Sequence, residues 1–270
     1  MEVIVCKFGG SSTADANMFR QIRRILNGDA RRRYVVLSAP GGRERVTDLL
    51  CCGWLALREG RDAAPLINAV VARFEAISSA LGLSGFGDEV RRELLCAMQT
   101  SEAMTVSRGE ALCARLFSRW SGLPFQDADV LVRFDAEGRP DVPDTLARFR
   151  DWARNHSQAV LPGFYGGGPD GKIFTFPRNG SDITGALCAA GVGAAVYENW
   201  SDVPGLMTAD PATDPEARLI PEITYPAMCE RCRLGARVLH PDSLVPLEAA
   251  GIPTRLRCTM NPEAPGTWIH

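Results

Sequence analysis

The sequence predicts an α/β fold built on a parallel sheet that is covered on both faces. Three observations carry this reading: an apolar strand-like run at residues 3–6, a glycine turn leading into a helical pattern over 15–26, and a second apolar run at 34–37. Strand, turn, helix, strand is a βαβ unit, and a helical crossover makes the two strands run the same way. Strands buried on both faces read as continuous apolar runs, as Tyr34-Val35-Val36-Leu37 does.

The first helix is read from Met18, Ile22, Ile25 and Leu26, which recur at helical spacing after Gly9-Gly10-Ser11-Ser12-Thr13. Ser38-Ala39-Pro40-Gly41-Gly42 ends the second strand, and another helix is expected from about Thr47. Residues 62–121 read mostly as helix, and further strands are expected at 159–161, 194–197 and 254–257. Proline and glycine cluster at 162–180 and 203–215, between strand-like runs, which marks functional loops rather than linkers. No repeat divides the chain, so the expectation is one domain over 1–270 with two lobes, split near 158 and 159.

Composition narrows the function. With 46% hydrophobic and 23% charged residues the chain has the makeup of a globular domain. Thirty basic against thirty-two acidic residues, with no basic stripe, argue against a nucleic-acid partner. The longest apolar stretch, 186–197, is short and glycine-rich for a bilayer span, which needs roughly 18 apolar residues, so no membrane partner is expected. The N-terminus enters a strand without a basic flank, so the expected location is the cytoplasm. Nine cysteines at irregular spacing cannot form a complete disulfide framework. Cys229 and Cys232 form a lone C-x-x-C on a helical stretch, where small apolar fillers are expected rather than a four-ligand zinc site; no metal ligands are assigned.

Lysine usage singles out one residue. Of the thirty basic side chains only Lys7 and Lys172 are lysine. Lys172 follows Pro169-Asp170-Gly171, an exposed turn. Lys7 ends the first strand and precedes Phe8-Gly9-Gly10-Ser11-Ser12-Thr13. Ligands of open parallel sheets bind outside the strands' carboxyl ends. There the glycines allow close backbone approach, the following helix start offers N–H groups to anions, and the lysine is a movable point charge. The spacing is neither a Walker A loop nor G-x-G-x-x-G.

A second cluster, Phe176-Pro177-Arg178-Asn179-Gly180-Ser181-Asp182-Ile183-Thr184, leads into a small-residue helix over 185–190. Its arginine, hydroxyls and helix start suit a carboxylate or phosphate. An ordinary helix start with Ser181 or Asp182 as cap has the same composition. Two further stretches are Asn199-Trp200-Ser201-Asp202-Val203-Pro204-Gly205-Leu206-Met207-Thr208-Ala209-Asp210-Pro211 and Gly235-Ala236-Arg237-Val238-Leu239-His240-Pro241.

Taken in order, K-F-G-G-S-S, S-A-P-G with T-D-L-L, S-R-G-E, P-G-F, R-N-G-S-D-I-T, S-D-V-P-G with T-A-D-P, G-A-R-V-L-H-P and C-T-M-N-P with G-T resemble the catalytic domain of aspartate kinases from Lys7 to Ile269. The resemblance implies the amino-acid kinase fold, a three-layer α/β/α sandwich on a mostly parallel sheet. It places the amino acid in the N-terminal lobe and ATP in the C-terminal lobe. The implied reaction is transfer of a phosphoryl group from ATP, with Mg²⁺, to the side-chain carboxylate of L-aspartate. A homodimer is implied too. Because the resemblance ends with the catalytic domain, no tandem ACT regulatory domain is expected.

Position by position, Lys7 matches the lysine that meets the transferring phosphoryl group, and Asp182 the acid that orients the cationic groups. Gly9, Gly10 and Ser11 match the phosphate-cradling turn. Thr47 matches a hydroxyl near the amino acid, Glu110 the carboxylate that takes its α-ammonium, and Arg178, with Ser181 beside it, the grip on its α-carboxylate. Ser201, Asp202, Met207, Asp210 and Arg237 fall on the nucleotide side. Departures gather there: the family commonly has threonine at Ser201, tyrosine at Met207, arginine at Ala212 and lysine at Arg237. It also has glycine at Asn179 and threonine at Ser11. Nucleotide affinity or choice is therefore expected to differ from that of relatives. The rival readings are a sister kinase for another free amino acid or an aspartate derivative, and a non-catalytic partner subunit of the same fold.

Overall fold

The computed structural model describes residues 2–209, 214, 216–236 and 238–270. The chain opens with β1 (Ile4–Phe8), α1 (Ala16–Asn27), β2 (Arg32–Leu37) and four helices in succession, α2 (Val46–Arg58), α3 (Ala64–Ala80), α4 (Phe86–Ala97) and α5 (Glu102–Ser121). It continues through α6 (Val142–Ala153), β3 (Ala159–Pro162), β4 (Tyr165–Gly167), β5 (Ile173–Thr175), α7 (Gly180–Val192) and β6 (Val196–Ser201). The last elements are β7 (Glu222–Ile223), α8 (Tyr225–Arg233), α9 (Leu244–Ala249), β8 (Thr254–Cys258) and β9 (Thr267–Ile269).

Seven strands form one sheet in the order β3-β2-β1-β6-β8-β9-β7, parallel except where β9 runs against β8. Alternation along the strands feeds two cores. Ile4, Cys6, Phe8, Val35 and Leu37 pack with α1 and the helices α2 to α5. Val5, Tyr34, Val36 and Leu161 pack on the other side with α6, α7, α8 and α9. This is the three-layer α/β/α sandwich the sequence implied.

Most expected elements lie where the periodicity placed them, and Asp15 caps α1 through Asn17 N–H at 2.8 Å and Met18 N–H at 3.0 Å. Two expectations are corrected. The helix expected over 185–190 starts at Gly180, and its N-cap is Asn179, with neither Ser181 nor Asp182 capping. The loop expected around 162–180 contains an antiparallel hairpin, β4 with β5. Gly166 and Gly167 hid it because they look like turn residues. They are glycine for a different reason: a Cβ at either position would fall 2.4 Å from the Val132 carbonyl oxygen or 2.3 Å from that of Asp129.

Candidate active site

The site forms where β1 and β6 end. Lys7 and Asn199 are register partners on these parallel strands and face α7. The Lys7 ammonium, only 9% exposed, lies 2.6 Å from Asp182 Oδ1. Asn199 Nδ2 donates to the same oxygen at 2.9 Å, and the His240 backbone N–H donates to Oδ2 at 2.8 Å. Asp182 sits in the first turn of α7, where the helix dipole favours a negative charge. Three donors from three separate segments therefore fix one buried carboxylate. The ion pair takes one of the three Lys7 donors and leaves the others for an anionic ligand.

Two glycine loops floor the same edge. The Gly9 N–H donates to the Trp200 carbonyl at 3.0 Å, and the Gly41 N–H donates to the Gly10 carbonyl at 2.8 Å. A Cβ on Gly41 would fall 2.6 Å from the Gly10 carbonyl carbon, so the loops meet through bare backbone. Residues 10–13 make a 3-10 turn. The expected anion contact with the following helix start is corrected, because Asp15 already occupies the N–H groups that open α1. Ser12 and Thr13 are buried braces: Ser12 Oγ lies 2.6 Å from Thr259 Oγ1, and Thr13 Oγ1 donates toward the carbonyls of Gly10, Ser38 and Ala39. Ser11 is half-buried.

Glu110, from the middle of α5, is 5% exposed. Burial pushes its carboxyl up to about 8, against the opposing pull of the Ala39 N–H, its own backbone N–H, Lys7 and Arg108. Its Oε2 is buried without a hydrogen-bond partner. Thr47 lies half-buried in the first turn of α2. Next to it, Asp48 accepts a hydrogen bond from Arg178. The expected amino-acid grip is thus uneven, with Glu110 in the interior and the Arg178 side chain 77% exposed. Ser181 is 4% exposed and so close to Gly163 that a Cβ there would fall 2.6 Å from its own Cβ. Asn179 adopts φ 64°, a left-handed conformation that asparagine tolerates better than most residues.

The nucleotide-side residues are more spread out. Ser201 closes β6, and its Oγ accepts from the Val203 N–H at 3.4 Å. Asp202 is exposed, with its carbonyl 3.8 Å from Cys258 Sγ. Met207 is half-buried and pairs with Leu219 in an isolated antiparallel bridge. Asp210, Ala212 and Arg237 lie outside the described residues. Cys229 and Cys232 sit on α8, partly buried against the core, as apolar fillers do.

Sequence reasoning gave no role to Asn199, Asp48 or the His240 N–H, although each lies in a stretch or motif it singles out. Asn199 carried a signal, a polar residue inside an otherwise buried strand; the other two depend on contacts 130 and 58 residues apart. Among the described residues no group of three or more His, Cys, Asp or Glu converges on one point. That donor set does not cage a cation by itself. It fits Mg²⁺ brought in on nucleotide phosphates, which need only one or two protein carboxylates.

A lysine, an aspartate and two bare-backbone loops at the carboxyl edge of a parallel sheet define an α/β protein whose sheet edge suits an anionic small molecule. The particular family follows from comparison: the chain belongs to the amino acid kinase family, which it matches over residues 2–258. It is 32% identical over 286 residues to aspartokinase 3 of Bacillus subtilis, covering 98% of this chain and 63% of that protein. Its fold superposes on Clostridium acetobutylicum aspartate kinase with a TM-score of 0.91 at 33% identity, covering 100% of this chain and 63% of the other. E. coli aspartokinase III in complex with aspartate and ADP gives 0.87 at 30% identity, covering 99% and 64%. The chain therefore spans a little under two thirds of the length of these relatives. No helix among the described residues is long and apolar enough to cross a membrane.

Proposed function

We propose that the protein phosphorylates the side-chain carboxylate of L-aspartate with ATP, giving 4-phospho-L-aspartate and ADP. The observation that carries this reading is the pairing of Lys7 with Asp182 beside a buried glutamate that has one oxygen to spare. Likeness to an aspartokinase crystallised with aspartate and ADP supports the choice of substrates.

The acceptor carboxylate is ionised near pH 7, so the reaction needs no general base. What the protein must supply is position and charge. Glu110 takes the α-ammonium and Arg178 the α-carboxylate, with Thr47 and Ser181 at the sides, which leaves the side-chain carboxylate to attack. Lys7, held by Asp182, meets the charge that spreads over the phosphoryl oxygens. Gly9, Gly10 and Ser11 let those oxygens approach the backbone. Mg²⁺ brought in on ATP would supply charge neutralisation at the phosphates. Ser201, Asp202, Met207, Asp210 and Arg237 would face the nucleotide, with the amino acid in the lobe 1–158 and the nucleotide in the lobe 159–270. The family resemblance extends the proposal to a cytoplasmic homodimer.

ADP release measured with a panel of amino acids, with hydroxylamine trapping the acyl phosphate, tests the reading. Aspartate should give both ADP and hydroxamate. Preference for another amino acid would make the protein a sister kinase. Binding of both ligands without turnover would make it a non-catalytic subunit.

A further inference from the structure

The unpartnered Glu110 oxygen says more than that a donor is expected there. The groups that face this carboxyl can be named element by element. From β1 comes Lys7, whose charge is already engaged by Asp182 of α7. From the loop after β2 comes only the uncharged Ala39 N–H. From α5 itself come Arg108, which is bonded to Glu93 at 3.1 Å, and the Cys113 thiol, which burial and then Glu110 push up. Both nearby cations therefore have carboxylate partners of their own. A negative Glu110 would sit in the interior with no cation assigned to it, and a buried charge left unpaired is strongly disfavoured.

We infer that Glu110 selects a cationic amine by exchange: it is held as the neutral acid in the free protein and releases its proton to solvent when the substrate ammonium docks against Oε2. This inference rests on the reading of aspartate as substrate. The balance is simple, since carboxylic acid plus ammonium gives a carboxylate–ammonium pair plus one proton taken up by buffer. Exchange lets the empty site avoid a buried charge. It also means that a dicarboxylate lacking the amine meets a neutral wall that gives it nothing in return.

Two measurements on the whole protein test this. In the ligand-free protein labelled with ¹³C at glutamate side-chain carboxyls, one carboxyl should titrate with a midpoint near 8, and its signal should vanish in Glu110→Gln. A Glu110 midpoint in the ordinary range of about 4 to 5 overturns the inference. Calorimetric titration with L-aspartate at pH 7, repeated in buffers of different ionisation heat, should show release of about 0.9 proton per site, falling to about 0.1 at pH 9. Apparent affinity should rise about tenfold from pH 6 to pH 7 and level off above 8. Aspartate binding with no proton release at pH 7 overturns the exchange alone. If aspartate fails to bind although Glu110 titrates near 8, the substrate reading fails and the exchange with aspartate falls with it.

Discussion

Two buried carboxylates, Glu198 of β6 and Glu110 of α5, are treated in opposite ways. On one face of β1 and β6 Cys6 is the register partner of Glu198; on the other, Lys7 is the partner of Asn199. Glu198 is saturated. Arg32 reaches both its oxygens at 2.8 and 3.1 Å, Arg257 donates at 3.1 Å, Trp200 Nε1 donates at 3.0 Å, and the Cys6 thiol lies at 3.4 Å. The Arg32 and Arg257 guanidiniums flank the Trp200 ring, 5.4 and 4.4 Å from its centroid. Burial pushes the Glu198 carboxyl up, but the two arginines outweigh it and hold the group below its usual range. Glu110, beside Lys7, is raised and keeps an oxygen unpaired. Glu198 has its bonds filled from within the chain and braces the fold, whereas the oxygen that Glu110 leaves short is available to a ligand.

The largest effect should come from breaking the saturated cluster. Glu198→Ala leaves two buried guanidiniums without their carboxylate, and removal of one partner of such a cluster costs about 3–5 kcal/mol. Urea unfolding should show this loss, while the KM for aspartate of the protein that remains folded stays near wild type. A loss under about 1 kcal/mol would mean that Glu198 is no structural keystone and the contrast with Glu110 is empty.

On the opposite face the expected damage is to rate. Lys7→Met removes the cation proposed to meet the phosphoryl group and should lower kcat by about a hundredfold or more, the scale of losing a transition-state donor. Retention of kcat within a few-fold would assign the charge to another residue.

Glu110→Gln sharpens the comparison by changing sign. Between the ordinary 4.5 and the folded value of about 8 the folded protein binds more protons than the unfolded chain, so this group makes stability fall as pH rises through that window. The glutamine variant should therefore match wild type near pH 4.5 and exceed it at pH 9, by on the order of 2 kcal/mol once structural relaxation is allowed for. Glu198, with its lowered carboxyl, works the other way: its stabilisation is present above the unfolded value and is lost as pH falls through the folded one. Relative to wild type, the melting temperature of Glu110→Gln should therefore rise across pH 4.5–9, whereas the deficit of Glu198→Ala should stay level there and shrink only as the pH falls below about 4.5.

How much of this was legible in the sequence depends on the range of the contact. The βαβ opening was readable because strand, turn and helix signals are local. So was Lys7, where lysine survives in an arginine-rich chain; Lys172, by contrast, is exposed just after the 169–171 turn. The Glu198 cluster was not legible. A glutamate in a strand looks like a solvent-facing position until Arg32, 166 residues away, is brought against it by the order β2-β1-β6. β4 stayed hidden because close packing and turning both select glycine. Asn179, a departure from the family's glycine, sits at a positive φ that asparagine tolerates, which the motif alone does not disclose.

The smallest predicted effect lies at the open rim. Arg178, the expected grip on the α-carboxylate, is held in the free structure by the Asp48 carboxylate. Asp48 thus occupies, from within the chain, a guanidinium that an incoming α-carboxylate must take over. Both groups are substantially exposed, 77% and 45%, so water and salt screen the pair, and such contacts are worth about 0–1 kcal/mol. Asp48→Asn should therefore lower the KM for aspartate by about two- to fivefold with kcat and the KM for ATP unchanged, since about 1 kcal/mol corresponds to roughly a factor of five. The gain should shrink in high salt, where the wild-type pair is already weakened. Arg178→Ala should instead raise the KM for aspartate by about tenfold or more, as expected for a lost charge-assisted bond, whatever residue stands at 48. In the double variant the benefit of Asp48→Asn should disappear, because there is no guanidinium left to free. If Asp48→Asn raises the KM for aspartate, then Asp48 holds Arg178 in its working position rather than competing for it. The rim would then be prebuilt, like the pairing of Lys7 with Asp182 below it.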